Sequence, residues 1–388
     1  MRFSRMMKVS SVILLLALVL TGCGGTAAPA PAAGGAGKSA DTTPITIAVV
    51  GDFNGPIAAY SGASLNGINI AVDELNAAGG VNGHKIQIKQ YDDKNDPVEG
   101  VNIAKRLPDE ALAAVVTSGS SPALAIGREL DKSGIPFMTT VASTPAITES
   151  GWKYVNRMHL SDRDQVNKIV DYAVKDKKYT KIAILYDTSD FGVNGFKMAA
   201  EALKANNVTP VVAEGWKQTD ADFGNLVLKL KDSGAECVIL WGVVEGAVRI
   251  VQATRAAGLD KVQFFGGGGL VSQKYIDLGG KAVEGTIATW AYVDASSGKA
   301  ADLAKTYQSK YNKPVDVFAA QAYDGMKILA AAIAKAGTTN KDRDAIEAAI
   351  RASKYDGAVG HIEFTPQGQN VRKIYLATVK DAKYQLLQ

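Results

Sequence analysis

From residue 45 onward, short apolar and β-branched runs alternate with longer segments whose apolar positions recur at helical spacing. That alternation predicts βαβ units around a mostly parallel sheet. Residues 45–50 read as a strand, after which Leu65, Ile68, Val72 and Leu75 mark one face of a helix ending at Gly79-Gly80. Strands are predicted at 86–91, 113–117 and 136–140, with helices near 98–107 and 122–133. A second series follows, with strands at 181–186, 208–212, 237–241 and 262–265, so two similar α/β halves are implied. In the tail from 362 to 387, Val371, Ile374, Leu376, Val379 and Tyr384 alternate around turn residues and predict a late hairpin.

The segment before residue 45 follows a different pattern. Arg2, Arg5 and Lys8 precede an apolar run from 12 to 20, and Leu20-Thr21-Gly22-Cys23 follows. The run is shorter than the about 20 residues a bilayer crossing needs, so residues 1–22 read as a removable signal peptide. The tetrapeptide resembles the bacterial lipobox, which implies lipidation of Cys23 and anchoring to the cell membrane. Residues 23–43 are rich in Ala, Pro, Gly and Thr, and read as a flexible tether. No second long apolar segment is recognised, so the mature protein is expected to be soluble apart from its anchor.

Roughly 345 residues then remain, more than one core usually supports, so two lobes are the default. The net charge of +4 is mild and there is no Lys/Arg-rich block, so nucleic acid is not indicated. Apart from Cys23 the chain has one cysteine, Cys237, which reads as a small buried hydrophobe rather than half of a disulfide.

Open α/β sheets bind ligands beyond the C-terminal ends of their strands. Two strand-to-helix junctions are furnished for that: Thr117-Ser-Gly-Ser-Ser-Pro122, read with a serine as N-cap before Pro122, and Thr139-Thr-Val-Ala-Ser-Thr-Pro145. Each offers unpaired N–H groups, hydroxyls and a positive dipole end, which together suit a carboxylate. Ser120, Ser121 and Ser143 are the candidates; the alternative is that they only cap helices.

Several stretches together resemble the leucine/isoleucine/valine-binding protein family of ABC transporters: Gly55-Pro-Ile-Ala-Ala-Tyr-Ser-Gly62, the helix end Ile70-Ala-Val-Asp-Glu-Leu-Asn-Ala-Ala-Gly-Gly80, Asp92-Asp93 with Asp96-Pro97, Gly134-Ile-Pro136, Asp187 with Phe191-Gly192, and Ala257-Gly-Leu259. The resemblance implies a type I periplasmic-binding-protein fold: α/β, two Rossmann-like lobes with parallel central sheets, joined by a three-stranded hinge that closes on a ligand. It places lobe 1 at 44–161 plus 291–368 and lobe 2 at 162–290 plus 369–388. It puts the carboxylate grip on Ser120 and Ser143, an ammonium-facing carbonyl on Val141, and aromatic walls on Tyr60 and Phe191.

The sequence also departs from the family. Where amino-acid-binding members carry a second-lobe glutamate for the ammonium, this chain has Gly266-Gly-Gly-Gly269, with Gly268 at the acid's place. A buried ammonium without a counter-charge costs several kcal/mol. Glu245 is the candidate replacement, with an exposed helix start as the alternative; Trp241 is a candidate stacking surface for an apolar or planar ligand, or else a core aromatic.

Other chemistry finds little support. No Walker or dinucleotide motif accompanies the glycine run, which reads as a hinge-side loop or space for ligand. Asp92, Asp93 and Asp96 read as a solvated turn rather than a calcium loop. His84, His159 and His361 are isolated and lack metal-ligand spacing, and no nucleophile elbow is present. The expectation is therefore a monomeric extracytoplasmic solute receptor with no catalysis and no cofactor. Its partners would be a small-molecule ligand, an ABC permease with its ATPase, and the membrane through the lipid anchor only. The first ligand class is a branched-chain or other apolar amino acid, the second an aromatic or short aliphatic carboxylic acid. A ligand sensor feeding a signalling receptor is the competing role.

Overall fold

A computed structural model describes residues 42–291 and 296–387. The signal segment, Cys23 and the tether up to residue 41 lie outside the described residues.

The first lobe is built on β1 (Ile45–Gly51), β2 (Ile86–Asp92), β3 (Ala113–Thr117), β4 (Phe137–Thr139) and β5 (Val155–Arg157). They form one parallel sheet in the order β2-β1-β3-β4-β5. The central strands are apolar along their whole length because both faces are covered. Ile47, Val49 and Val115 enter one core cluster, and Ala48, Val50 and Val116 enter another.

The second lobe repeats the plan with β6 (Ile182–Asp187), β7 (Val212–Trp216), β8 (Cys237–Trp241), β9 (Gln263–Gly266) and β10 (Ile287–Trp290) in the order β7-β6-β8-β9-β10. A three-stranded antiparallel sheet follows: β11 (Lys354–Gly357), β12 (Gly360–Phe364) and β13 (Asn370–Val371). The hairpin β14 (Tyr375–Lys380) and β15 (Lys383–Leu386) then returns to the second lobe, where β14 pairs antiparallel with β10.

The β11–β13 sheet belongs with the first lobe. Its turn amides at Ala358 and Val359 donate to Asp324 at 2.9 and 2.8 Å, and the Arg157 N–H donates to the Gly368 carbonyl at 2.7 Å. The chain thus passes between lobes after β5, after β10 and between β13 and β14. This last crossing lies just beyond residues 368/369, because β13 is still paired with β12.

Three local differences from the sequence reading have physical causes. The strand expected at 208–212 begins at Val212, because Asn207 takes φ +58° and the Val208 N–H returns to the Leu203 carbonyl, closing the preceding helix. Asp93 is not in a solvated turn: it is fully buried and accepts a hydrogen bond from Ser118, and burial raises its carboxyl to about 6. Helix Val317–Ala336 is, against expectation, long and apolar enough by composition to cross a membrane. It is mostly buried and packs in the first lobe against helix Ala58–Ala77, so closely that a Cβ on Gly67 would sit 2.0 Å from the Ala319 carbonyl oxygen.

Candidate functional site

A cleft of about 50 Å³ opens at the C-terminal ends of both parallel sheets. Loops after β1, β2, β3 and β4 supply one wall, and loops after β6, β7, β8 and β9 the other. Both walls include the switch point where strand order reverses, the crevice in which open α/β sheets place ligands. Tyr60, Ser120, Ser121, Val141, Ser143 and Phe191 all line it. So do Ile57, Asn95, His159, Ser189, Gln218, Val243, Gly268, Gly269 and Phe318, which sequence reasoning did not assign to a ligand, Gly268 excepted as the departure.

The wall of the first lobe is made of hydrogen-bond donors. Helix Ser120–Lys132 starts at Ser120 with Gly119, not a serine, as N-cap, and no side chain caps it. The N–H groups of Ser120 and Ser121 therefore face the cleft at the positive end of a 13-residue helix, unspent by an intrahelical bond. This junction is held from below. The Asn95 side chain accepts from the Gly119 N–H at 3.2 Å, and Ser61 donates to the Thr117 carbonyl at 2.6 Å. Asp52 gathers the N–H groups of Asn54, Gly55 and Ile57, which bends the loop after β1 and delivers Ile57 and Tyr60 to the cleft.

The second junction is not a second helix terminus of the expected kind. Pro145 is the N-cap and Ala146–Glu149 is a single turn. What fixes Ser143 is the buried Arg157, whose Nη1 donates to the Ser143 carbonyl at 2.7 Å and also to the Thr144 carbonyl. Asp162 lies fully buried beside Ser143 and Arg157 without a well-formed hydrogen bond to either oxygen, and burial raises its carboxyl to about 7. Burial also lowers the Arg157 guanidinium to about 10, against the pull of Asp162.

The wall of the second lobe is made mainly of close backbone approaches and apolar surface, with Ser189 and Gln218 as its polar side chains. Trp241 does not reach ligand space: it is 1% exposed, lies under Gly267, and stands 5.9 Å from the Phe191 ring. A Cβ at Gly267 would come within 2.6 Å of its indole, so the glycine is there to admit the ring. Glu245 is likewise outside the lining; it pairs with Lys274. It therefore does not stand in for the missing acid. None of the described residues lining the cleft is acidic.

The place of the missing acid is filled from the other lobe. A Cβ on Gly268 would lie 2.6 Å from His159 Nε2. His159 is buried, packs face to face with Phe318 at 5.2 Å, and contacts Gln321 through Nδ1. Burial, reinforced by Arg372, pushes its ring down to about 3, so it is neutral. An isolated histidine in sequence gave no sign of this; helix Val317–Ala336 brings Gln321 to it, and the bridge between Arg157 and Gln369 brings Arg372.

The lobes touch across the cleft. The Tyr60 hydroxyl donates to the Gly269 carbonyl at 2.6 Å, and Asn194 donates to the Thr144 hydroxyl at 3.4 Å. Among the described residues no group of three His, Cys, Asp or Glu side chains is placed to hold a metal.

Known proteins share this plan. A family model described as "Periplasmic binding protein" matches residues 44–384. The Leu/Ile/Val-binding protein homolog 3 of Brucella melitensis is 30% identical over 334 residues, 85% of this chain and 89% of the relative. The Leu/Ile/Val-binding protein of Escherichia coli K12 is 28% identical over 332 residues, 84% and 87% of the two chains. Among solved structures, a leucine binding protein from Thermotoga maritima superposes with TM-score 0.82 at 24% identity, covering 89% of this chain and 98% of that one. A solute-binding protein from R. palustris in complex with benzoate superposes with TM-score 0.82 at 20% identity, covering 89% and 95%. The chain belongs to the periplasmic binding protein family, as a solute-binding protein with the type I fold of the leucine/isoleucine/valine-binding group.

Proposed function

We propose that this chain is the extracytoplasmic receptor of an ABC importer, held at the membrane by lipid on Cys23 and acting as a monomer. It captures a small carboxylate-bearing solute with an apolar body, closes on it by hinge motion of the two lobes, and presents the closed form to a permease. ATP hydrolysis belongs to the partner ATPase. The observation that carries this reading is the donor wall: two unspent N–H groups and the hydroxyls of Ser120, Ser121 and Ser143 converge on one side of a cleft otherwise lined largely by apolar groups. Such a constellation stabilises a carboxylate through charge-assisted hydrogen bonds.

Two ligand classes satisfy that wall. A branched-chain or other apolar amino acid is favoured by kinship and by the presence in the lining of Val141, whose carbonyl the family resemblance casts as the ammonium's acceptor. An aromatic or short aliphatic acid without an ammonium is favoured by the lining's lack of an acidic residue and by the His159 contact at Gly268.

A thermal-shift screen against amino acids and simple carboxylic acids tests the reading, since a ligand at a hundredfold excess over its Kd stabilises by about 2.7 kcal/mol. A stabilising carboxylate supports it; a protein that responds to none of them contradicts it. The anchor is tested separately: Cys23→Ala should release the protein from membranes, and equal processing and retention of that variant would refute lipidation.

A further inference from the structure

The corner of the cleft between His159 and Gly268 has a definite hydrogen-bond polarity, which follows from the groups behind it. Gln321 donates through Nε2 to the Thr140 carbonyl, and its Oε1 accepts from Arg372 Nη2 at 2.7 Å. With a carbonyl on one side and a guanidinium on the other, the amide cannot be reversed without setting oxygen against oxygen and donor against donor. The second hydrogen on Gln321 Nε2 then points to His159 Nδ1 at 3.0 Å, shorter than the 3.3 Å from Nδ1 to Oε1. Nδ1 is thereby the acceptor, and the ring's single proton resides on Nε2. Nε2 has no protein partner among the described residues and faces Gly268 in the cleft lining.

We infer that this corner is a hydrogen-bond donor site that selects the ligand's chemistry: an apolar carboxylic acid carrying an acceptor oxygen beside its carboxylate, a 2-oxo or 2-hydroxy acid, over the amino acid of the same skeleton. The inference rests on the carboxylate-receptor reading above. The neutral ring agrees with it, since burial and Arg372 both disfavour a charged imidazole. An ammonium placed there would meet an N–H and, behind it, a fully buried guanidinium, with no acidic side chain among the described lining residues. A buried cation so placed is strongly disfavoured. A carbonyl or hydroxyl oxygen would instead satisfy a donor that otherwise goes unpaired in the closed cleft.

The test is calorimetry on the full chain in detergent with four molecules of one carbon skeleton: leucine, 4-methyl-2-oxopentanoate, 2-hydroxy-4-methylpentanoate and 4-methylpentanoate. The oxo or hydroxy acid should bind at least about tenfold tighter than both leucine and 4-methylpentanoate, the effect of one well-made buried hydrogen bond. His159→Phe should bring the oxo acid down to the level of the plain acid. Nitrogen-15 NMR of histidine-labelled wild-type protein reads the tautomer without any substitution, and should show the proton on Nε2 with a shift when the oxo acid is added. Leucine binding as tightly as the oxo acid, or 4-methylpentanoate matching it, would overturn the inference and leave the receptor reading intact. The same holds if only an unrelated carboxylate such as benzoate binds. Silence across the four and across a wider carboxylate panel would overturn both.

Discussion

The two lobes share one strand order and divide the work unequally. In both, five parallel strands run second-first-third-fourth-fifth and open at a switch point onto the same cleft. At the first lobe's switch point stand serine hydroxyls, helix N–H groups and Asn95, braced by a buried layer of Asp52, Asp93, Arg157 and Asp162. At the second lobe's stand Phe191, Val243 and the glycines 268 and 269, with Ser189 and Gln218 as the polar members and Trp241 packed beneath. One fold therefore supplies a polar grip on one side and a close-fitting lid on the other. Recognition resides in the loops, because the strand scaffold is common to both.

The largest expected break of this asymmetry is Arg157→Ala. It removes the donors holding the Ser143 and Thr144 carbonyls and leaves Asp162 without its cation. Each buried acceptor left without its donor costs about 1–3 kcal/mol, and denaturant unfolding should show the sum. Next come Ser120→Ala and Ser143→Ala, each expected to weaken ligand binding by about 1–3 kcal/mol in calorimetry. Gln218→Ala on the opposite wall should cost less than about 1 kcal/mol. Equal effects on both walls would erase the proposed division of labour.

A pH experiment sharpens it further. The His159 ring sits at about 3 in the folded protein, below its ordinary 6.5, so its contribution to stability is present above pH 6.5 and lost as pH falls toward 3. Asp162 runs the other way: its carboxyl is raised to about 7, so its contribution is present below the unfolded value near 3.8 and lost as pH rises through 7. Comparing His159→Gln with wild type isolates the first of these. Between pH 7 and pH 5 the variant should gain about 2 kcal/mol relative to wild type in denaturant melts. A small effect, comparable to that of Gln218→Ala, is expected at Tyr60→Phe, which removes the bond to the Gly269 carbonyl across the cleft. It should weaken binding by about 0.5–1.5 kcal/mol without altering the unfolding of either lobe.

The fold was legible in the sequence where elements are long and regularly patterned. The strands of 45–51, 86–92 and 237–241 and the helix over Leu65 to Leu75 follow from periodicity alone. Strands β5 and β10 escaped because their short runs, Val155-Asn-Arg157 and Ile287-Ala-Thr-Trp290, mix polar and apolar residues, whereas the equally short β4 and β9 sit in apolar runs. The β11–β13 sheet escaped because its strands are short, mix charged with apolar residues and are mostly only partly buried, and Val371, assigned to the final hairpin, belongs to it. At the cleft, Ser120 and Ser143 were legible because Ser/Thr-rich junctions after strands have a local physical meaning. His159 and Gln321 were not, since their meaning depends on contacts 162 residues apart in the chain. Trp241 and Glu245 were misjudged for the same reason: nothing local says that Gly195 and Gly267 admit the indole into the core, or that Lys274 claims the carboxylate.

The central claim is that the first lobe reads a carboxylate, and a single pair of ligands tests it most directly. For whichever carboxylic acid stabilises the protein most, calorimetry should compare the acid with its primary amide, which keeps the shape and removes the charge. A carboxylate grip predicts that the amide binds at least about tenfold more weakly, the difference between charge-assisted and neutral hydrogen bonds. An amide that binds as tightly as the acid would contradict the account.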